Sequence, residues 1–179
     1  MVCILLAEGF EETEALAPCD ILRRGGVDVK LISCTGNTAV KGSHGISVET
    51  DALFEDVNAD DIDMLVIPGG MPGTLNLDAF KPIDELIQKI YANNGFLAAI
   101  CAGPMVLGKR GLLKGKKAVC YPGFEKELAG ANIGTDKVVR DGRIITAVGA
   151  GAAVDFGLQL LAAVKDAAAA ERVKKSILY

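Results

Sequence analysis

The chain has 179 residues, half of them apolar, a formal net charge of −4 and 1 histidine. That length suits one domain with a substantial core, and no apolar run reaches the span of a bilayer. The acidic balance without any basic block argues against nucleic acid as the main partner, and the lack of tryptophan argues against a stacking platform for single strands.

Taken in order, residues 2–7 are apolar, carry no basic leader and run straight into Glu8, so they read as a first strand rather than a signal peptide. Residues 10–24 have helical periodicity, with Pro18 predicting a kink or a second start inside the run. Gly25-Gly26 ends it, and residues 27–32 alternate as a second strand. Residues 38–40 and 45–48 flank Lys41-Gly42-Ser43-His44 and predict a short hairpin. Residues 51–60 are acidic and loop-like, with a helical turn expected near Leu53-Phe54. Residues 62–67 form a buried strand that runs into Pro68-Gly69-Gly70. Helices are expected at 73–77 and 83–93.

Residues 96–100 are five apolar residues without alternation, the pattern of a strand buried on both faces of a parallel sheet. Cys101 follows, then Ala102-Gly103, then Pro104, which fits the first turn of a helix because no donor is needed there. A basic turn at 111–117 leads to a short strand at 119–121. Residues 137–147 predict a hairpin turning on Asp141-Gly142. Gly149-Ala150-Gly151 opens a long apolar helix to Val164, and 167–176 is a final helix. Strands alternate with helices, which predicts a single α/β domain over 1–179: a sandwich around a mostly parallel sheet. The glycines at 149 and 151 lack the third glycine and the early position of a dinucleotide fingerprint, and no cofactor is expected.

The chemistry concentrates at Cys101. A strand, a sharp turn and a helix start with a thiol at the bend have the layout of a nucleophile elbow. The helix start predicts a lowered thiol pKa. Three strand ends converge on the same edge of the sheet: the acidic stretch Glu8 to Glu14, Gly69-Gly70, and Cys101. The N–H groups of Gly70 and Ala102 are placed to hold a developing oxyanion, worth about 3 kcal/mol for one donor in known cases. A carboxyl beside the sulfur exchanges a proton with it or holds its oxidised form. Periodicity puts Glu8, Glu11 and Glu12 mostly on the exposed side. The five cysteines (3, 19, 34, 101, 120) form no C-x-x-C pair. With a single histidine, a metal site is not expected, and the odd thiol count points to a reducing, cytoplasmic setting.

The segments Ala7-Glu8-Gly9-Phe10-Glu11-Glu12-Thr13-Glu14, Pro68-Gly69-Gly70 and Ala99-Ile100-Cys101-Ala102-Gly103-Pro104 resemble the ThiJ/PfpI superfamily. The nearest branch holds the human parkinsonism-associated deglycase and its bacterial relatives. The resemblance runs nearly end to end, through Asp20-Ile21-Leu22-Arg23-Arg24-Gly25-Gly26 and Asp155-Phe156-Gly157. It implies a flavodoxin-like three-layer sandwich, a homodimer, and a reactive Cys101 whose contacting carboxyl is Glu14, with Gly70 and Ala102 as backbone donors. It places Tyr121 where many members carry a histidine, which weakens a Cys-His hydrolase reading. It also places Ala150-Gly151-Ala152 where relatives tend to carry Pro-Gly-Thr. His44 falls on a loop at the pocket rim, where with Arg24 it would attract an anion.

Two functions are compatible with these residues. One is an enzyme acting on small reactive carbonyls or glycated substrates, a glutathione-independent glyoxalase or a deglycase. The other is a redox-responsive protein or chaperone whose Cys101 oxidises to a sulfinate. Peptidase or amidase activity is weakened by Tyr121. A thiazole-biosynthesis role has no phosphate-binding loop to support it.

Overall fold

The computed structural model describes residues 1–179. The elements are β1 (Val2–Leu6), α1 (Glu12–Arg24), β2 (Val29–Ser33), β3 (Ala39–Lys41), β4 (Ser47–Glu49), β5 (Ala52–Leu53), β6 (Met64–Ile67), α2 (Gly73–Ala79), α3 (Pro82–Ala92), β7 (Phe96–Ile100), α4 (Pro104–Lys109), β8 (Lys117–Ala118), β9 (Asn132–Ile133), β10 (Val138–Asp141), β11 (Ile144–Ala147), α5 (Ala153–Val164) and α6 (Ala167–Ser176). Seven strands form one sheet in the order β10-β11-β7-β6-β1-β2-β5. Every pairing is parallel except that of β10 with β11. This is the expected α/β fold around a mostly parallel sheet.

The period of two along each strand divides the core into two layers. Val2, Ile4 and Leu6 of β1 pack with Phe10, Leu22, Phe156 and Leu160 under α1 and α5. Cys3 and Leu5 pack with Leu77, Ile83, Ile87 and Val106 under α2, α3 and α4. Burial on both faces is why β1, β6 and β7 read as unbroken apolar runs rather than alternating ones.

Several local expectations shift. Helix α1 is continuous through Pro18, so the second start is not taken; the proline faces α5, where a methyl group at Gly157 would stand 3.0 Å from Pro18 Cα. Residues 52–53, expected in a loop, add an edge strand parallel to β2 before the helical turn Phe54–Asp56. The short strand expected at 119–121 lies earlier, at Lys117–Ala118, where it pairs with β9. The β10–β11 turn is centred on Gly142-Arg143, with Gly142 at φ 61, one residue beyond the expected centre.

Strand order reverses at β1, with β2 on one side and β6 on the other. Chain segments leaving the carboxyl ends of β1 and β6 therefore diverge, and they open the crevice where ligands bind in such sheets.

Candidate active site

Cys101 sits at φ 63, one of three non-glycine residues with positive φ. A side chain in this left-handed region costs about 1–3 kcal/mol and persists only where the surroundings hold it. Here the hold is a pair of backbone bonds. The Cys101 N–H donates to Ala147 O at 2.9 Å, and its carbonyl accepts from the Tyr121 N–H at 2.9 Å. The strand–turn–helix between β7 and α4 thus presents the sulfur at the sheet edge, partly exposed, as an elbow requires.

Glu14 lies in the first turns of α1 and is 1% exposed. Its Oε2 accepts the Gly69 N–H at 2.9 Å. Its carboxyl also lies against the Cys101 thiol and the Ala150 N–H, both of which work to lower its pKa. The Gly69 carbonyl in turn accepts the Glu11 N–H at 2.9 Å, and Glu11 Oε2 caps α1 by accepting the Glu14 N–H at 2.7 Å. The start of α1 and the end of β6 are therefore locked to each other on both sides of Gly69. A methyl group at Gly69 would stand 2.5 Å from Glu14 Oε2 and 3.0 Å from Cys101 Sγ. Only a residue without a side chain fits between carboxyl and thiol. Gly70, at φ 92, turns the chain so that its own N–H, like that of Ala102, faces the sulfur.

Burial raises the Glu14 pKa to about 7, against the opposing bonds from Cys101 and the backbone. The Cys101 thiol is also raised, to about 12, first by burial and then by the Glu14 charge and hydrogen bond, with the Ala102 and Gly70 N–H groups pulling the other way. This corrects the lowered thiol expected at a helix start. Helix α4 has only 6 residues, and burial together with a carboxylate against the sulfur outweighs its short dipole. Around pH 7 Glu14 gives up its own proton while the thiol keeps its proton, and a thiolate forms readily only when the thiol proton moves to an ionised Glu14.

The other candidate residues fall in different places. Tyr121 is half-exposed, and its ring lines the same loop as Glu14: a methyl group at Gly149 would stand 3.3 Å from the ring and 3.8 Å from Glu14 Oε1. His44 and Arg24 are not brought together within the chain. His44 Nδ1 lies 2.9 Å from Glu12 Oε2 at the start of α1, whereas Arg24 ends that helix, about 18 Å away at helical rise, and pairs with Asp20 at 2.6 Å. Glu12, expected on the exposed side, is 5% exposed and accepts the His44 N–H at 2.8 Å. Cys120 is buried, its thiol pushed up to about 11 by burial and Glu125. The chain's single histidine is thus engaged elsewhere, and no imidazole stands beside Cys101.

Three contributors escaped the reading of the sequence: the N–H groups of Gly69 and Ala150, and the Ala147 carbonyl. Their signal was present in part. The loop after β11 follows the parallel neighbour of β7, so its first residues must reach the same sheet edge.

A model of the DJ-1/PfpI family matches residues 1–163. The chain belongs to the DJ-1/PfpI family. The DJ-1 homolog B of Arabidopsis thaliana is 38% identical over 162 residues, covering 89% of this chain and 37% of that protein. The chain thus spans well under half the length of this plant relative. A deglycase of Pyrococcus abyssi is 34% identical over 133 residues, 74% of this chain and 78% of its own. Among solved structures, the oxidized DJ-1 of Toxoplasma gondii superposes with a TM-score of 0.95 at 34% identity, covering 99% of this chain and 97% of that one. No helix is long and apolar enough to cross a membrane.

Proposed function

We propose that this DJ-1/PfpI protein acts on small reactive carbonyl compounds, as a glutathione-independent glyoxalase or as a deglycase of early glycation adducts. The observation that carries the reading is the Glu14 carboxyl set against the Cys101 thiol while anchored by the Gly69 N–H at 2.9 Å. Sγ adds to the carbonyl carbon, forming the C–S bond as the C=O π bond breaks. The thiol proton passes to Glu14, which returns it to the new alkoxide to give a hemithioacetal. A carboxyl with a pKa of about 7 is poised to take and return a proton at neutral pH. The Gly70 and Ala102 N–H groups offer hydrogen bonds to charge developing at the reacting centre. The likeness to a deglycase supports the substrate class. Methylglyoxal consumption without glutathione tests it: turnover should be present in the wild type and lost in Cys101→Ser, and equal rates in the two would refute it.

A second reading rests on the same donors. A Cys101 sulfinate would find hydrogen-bond donors in the Gly70 and Ala102 N–H groups and in a protonated Glu14. The oxidized form of the Toxoplasma gondii relative favours considering it. Sulfinate formation by peroxide in a protein with no carbonyl turnover would single out this reading.

A further inference from the structure

We propose that Glu11, Glu12 and His44 form a binding site for a divalent transition cation of the zinc class. The sequence alone shows no such site, because Glu11-Glu12 and His44 stand about 32 residues apart and form no ligand spacing. Folding changes that by laying the β3–β4 loop over the start of α1. One ligand atom from each of the three residues lies within 4.8 Å of the other two. His44 Nδ1 is 2.9 Å from Glu12 Oε2 and 3.9 Å from Glu11 Oε1. Ligand atoms about 2.0–2.2 Å from zinc stand about 3–4 Å from each other, so a cation that displaces the proton shared by His44 Nδ1 and Glu12 Oε2 fits between these atoms with small side-chain adjustments.

The donor set chooses the ion. One imidazole with two carboxylates suits zinc and its neighbours, whereas calcium and magnesium take oxygen throughout. Glu11 Oε2 is committed to capping the helix, which leaves Oε1 for the metal. Two carboxylates supply the charge that offsets the positive end of α1. The histidine is held in place before any ion arrives. The Ser43 N–H donates to Phe10 O at 2.8 Å, the His44 N–H donates to Glu12 Oε1, and a methyl group at Gly42 would collide with the Glu12 carboxyl. An open cleft lined by Glu11, Glu12, Thr13, His44 and Ile46 gives the ion a way in and leaves a fourth position to water. The site shares no ligand with the Cys101–Glu14 pair, and its existence does not depend on the carbonyl reaction.

Titration of chelator-stripped full-length protein with zinc sulfate, followed by calorimetry, tests the proposal, with cobalt absorbance reporting the ligand type. One equivalent should bind and should be retained in Cys101→Ala. Affinity should fall by more than about tenfold in Glu11→Gln and in His44→Arg, the scale on which even supporting residues act at metal sites. Arginine at 44 keeps a cation against Glu12, so the loop stays in place, and Glu11→Gln keeps the helix cap. Cobalt should give no sulfur charge-transfer band. Absence of binding, unchanged affinity in either variant, loss in Cys101→Ala or a sulfur band would each overturn it.

Discussion

Glu14 and Gly69 are joined by a 2.9 Å hydrogen bond from the Gly69 N–H to Glu14 Oε2, and this bond fixes where the carboxyl meets the thiol. The same glycine leaves no room for a side chain, since a methyl group there would reach Glu14 Oε2 and Cys101 Cβ at 2.5 and 2.6 Å. Gly69→Ala should therefore push the two reacting groups apart. Displacement of this kind costs about 100-fold in rate, and overpacking costs about 1–3 kcal/mol of stability. Steady-state kinetics with methylglyoxal and a thermal melt check both numbers, and an alanine variant with full activity would contradict the geometry.

Cys101 should be the first of the five thiols to oxidise. A low pKa is not the reason, because Cys34 and Cys101 both stand at about 12. Both are also partly exposed, while Cys3, Cys19 and Cys120 are buried. What separates the two is the environment of the sulfur. Cys101 has two N–H donors to stabilise a negative sulfur or its oxygens, whereas burial and the Glu55 charge act on Cys34 without a compensating donor. Mild peroxide followed by peptide mass spectrometry should find sulfinate at Cys101 before any other position; prior oxidation of Cys34 would contradict this.

Removing the Glu14 charge should make the thiol easier to ionise. Two of the three influences that raise the Cys101 pKa come from Glu14, its charge and its hydrogen bond, and the Ala102 and Gly70 donors remain in Glu14→Gln. The pH midpoint for alkylation by iodoacetamide should move down relative to the wild type. An unchanged or higher midpoint would show that the carboxylate does not control the sulfur.

How much of this was legible in the sequence depended on the range of the forces involved. The strands and the elbow follow from local patterns: unbroken apolar runs, Pro104 at a helix start, glycines after strands. Glu14 and Gly70 were found by their motifs. The burial of Glu12 was not, because periodicity along α1 carries no information about a loop 31 to 34 residues away closing over it. The thiol pKa was misjudged for a related reason. The helix start is local and visible, while the burial and the neighbouring carboxylate are tertiary and stronger. The edge strand β5 has only 2 residues, too few to show a period.

An ion-pair cluster away from the site contributes stability that is lost in acid. Asp78 accepts from Lys109 Nζ and Arg110 Nη1, each at 2.8 Å, and Arg110 also pairs with Asp84. Burial works to raise the Asp78 pKa, but the bonds and charges of Lys109 and Arg110 together outweigh it and lower the value. A carboxyl whose folded pKa is lowered contributes stability above its unfolded pKa, and loses it as pH falls through the folded value. Asp78→Asn should therefore cost about 1–3 kcal/mol at pH 7, with the difference from wild type closing as pH falls below the ordinary aspartate value. Urea melts across that range check the sign, and a gap that stays constant with pH would contradict it.

The account turns on proton transfer between Glu14 and Cys101, and the most direct measurement is kcat/KM for methylglyoxal without glutathione in the wild type, Glu14→Gln and Glu8→Gln. Glutamine keeps the size of Glu14 and an oxygen for the Gly69 N–H but cannot take the thiol proton. Glu14→Gln should stay folded and lose about 100-fold or more, the scale of a lost general acid–base, while Glu8→Gln, exposed at the surface, stays near the wild-type value. Full activity in a folded Glu14→Gln protein, or equal losses in both variants, would contradict the account.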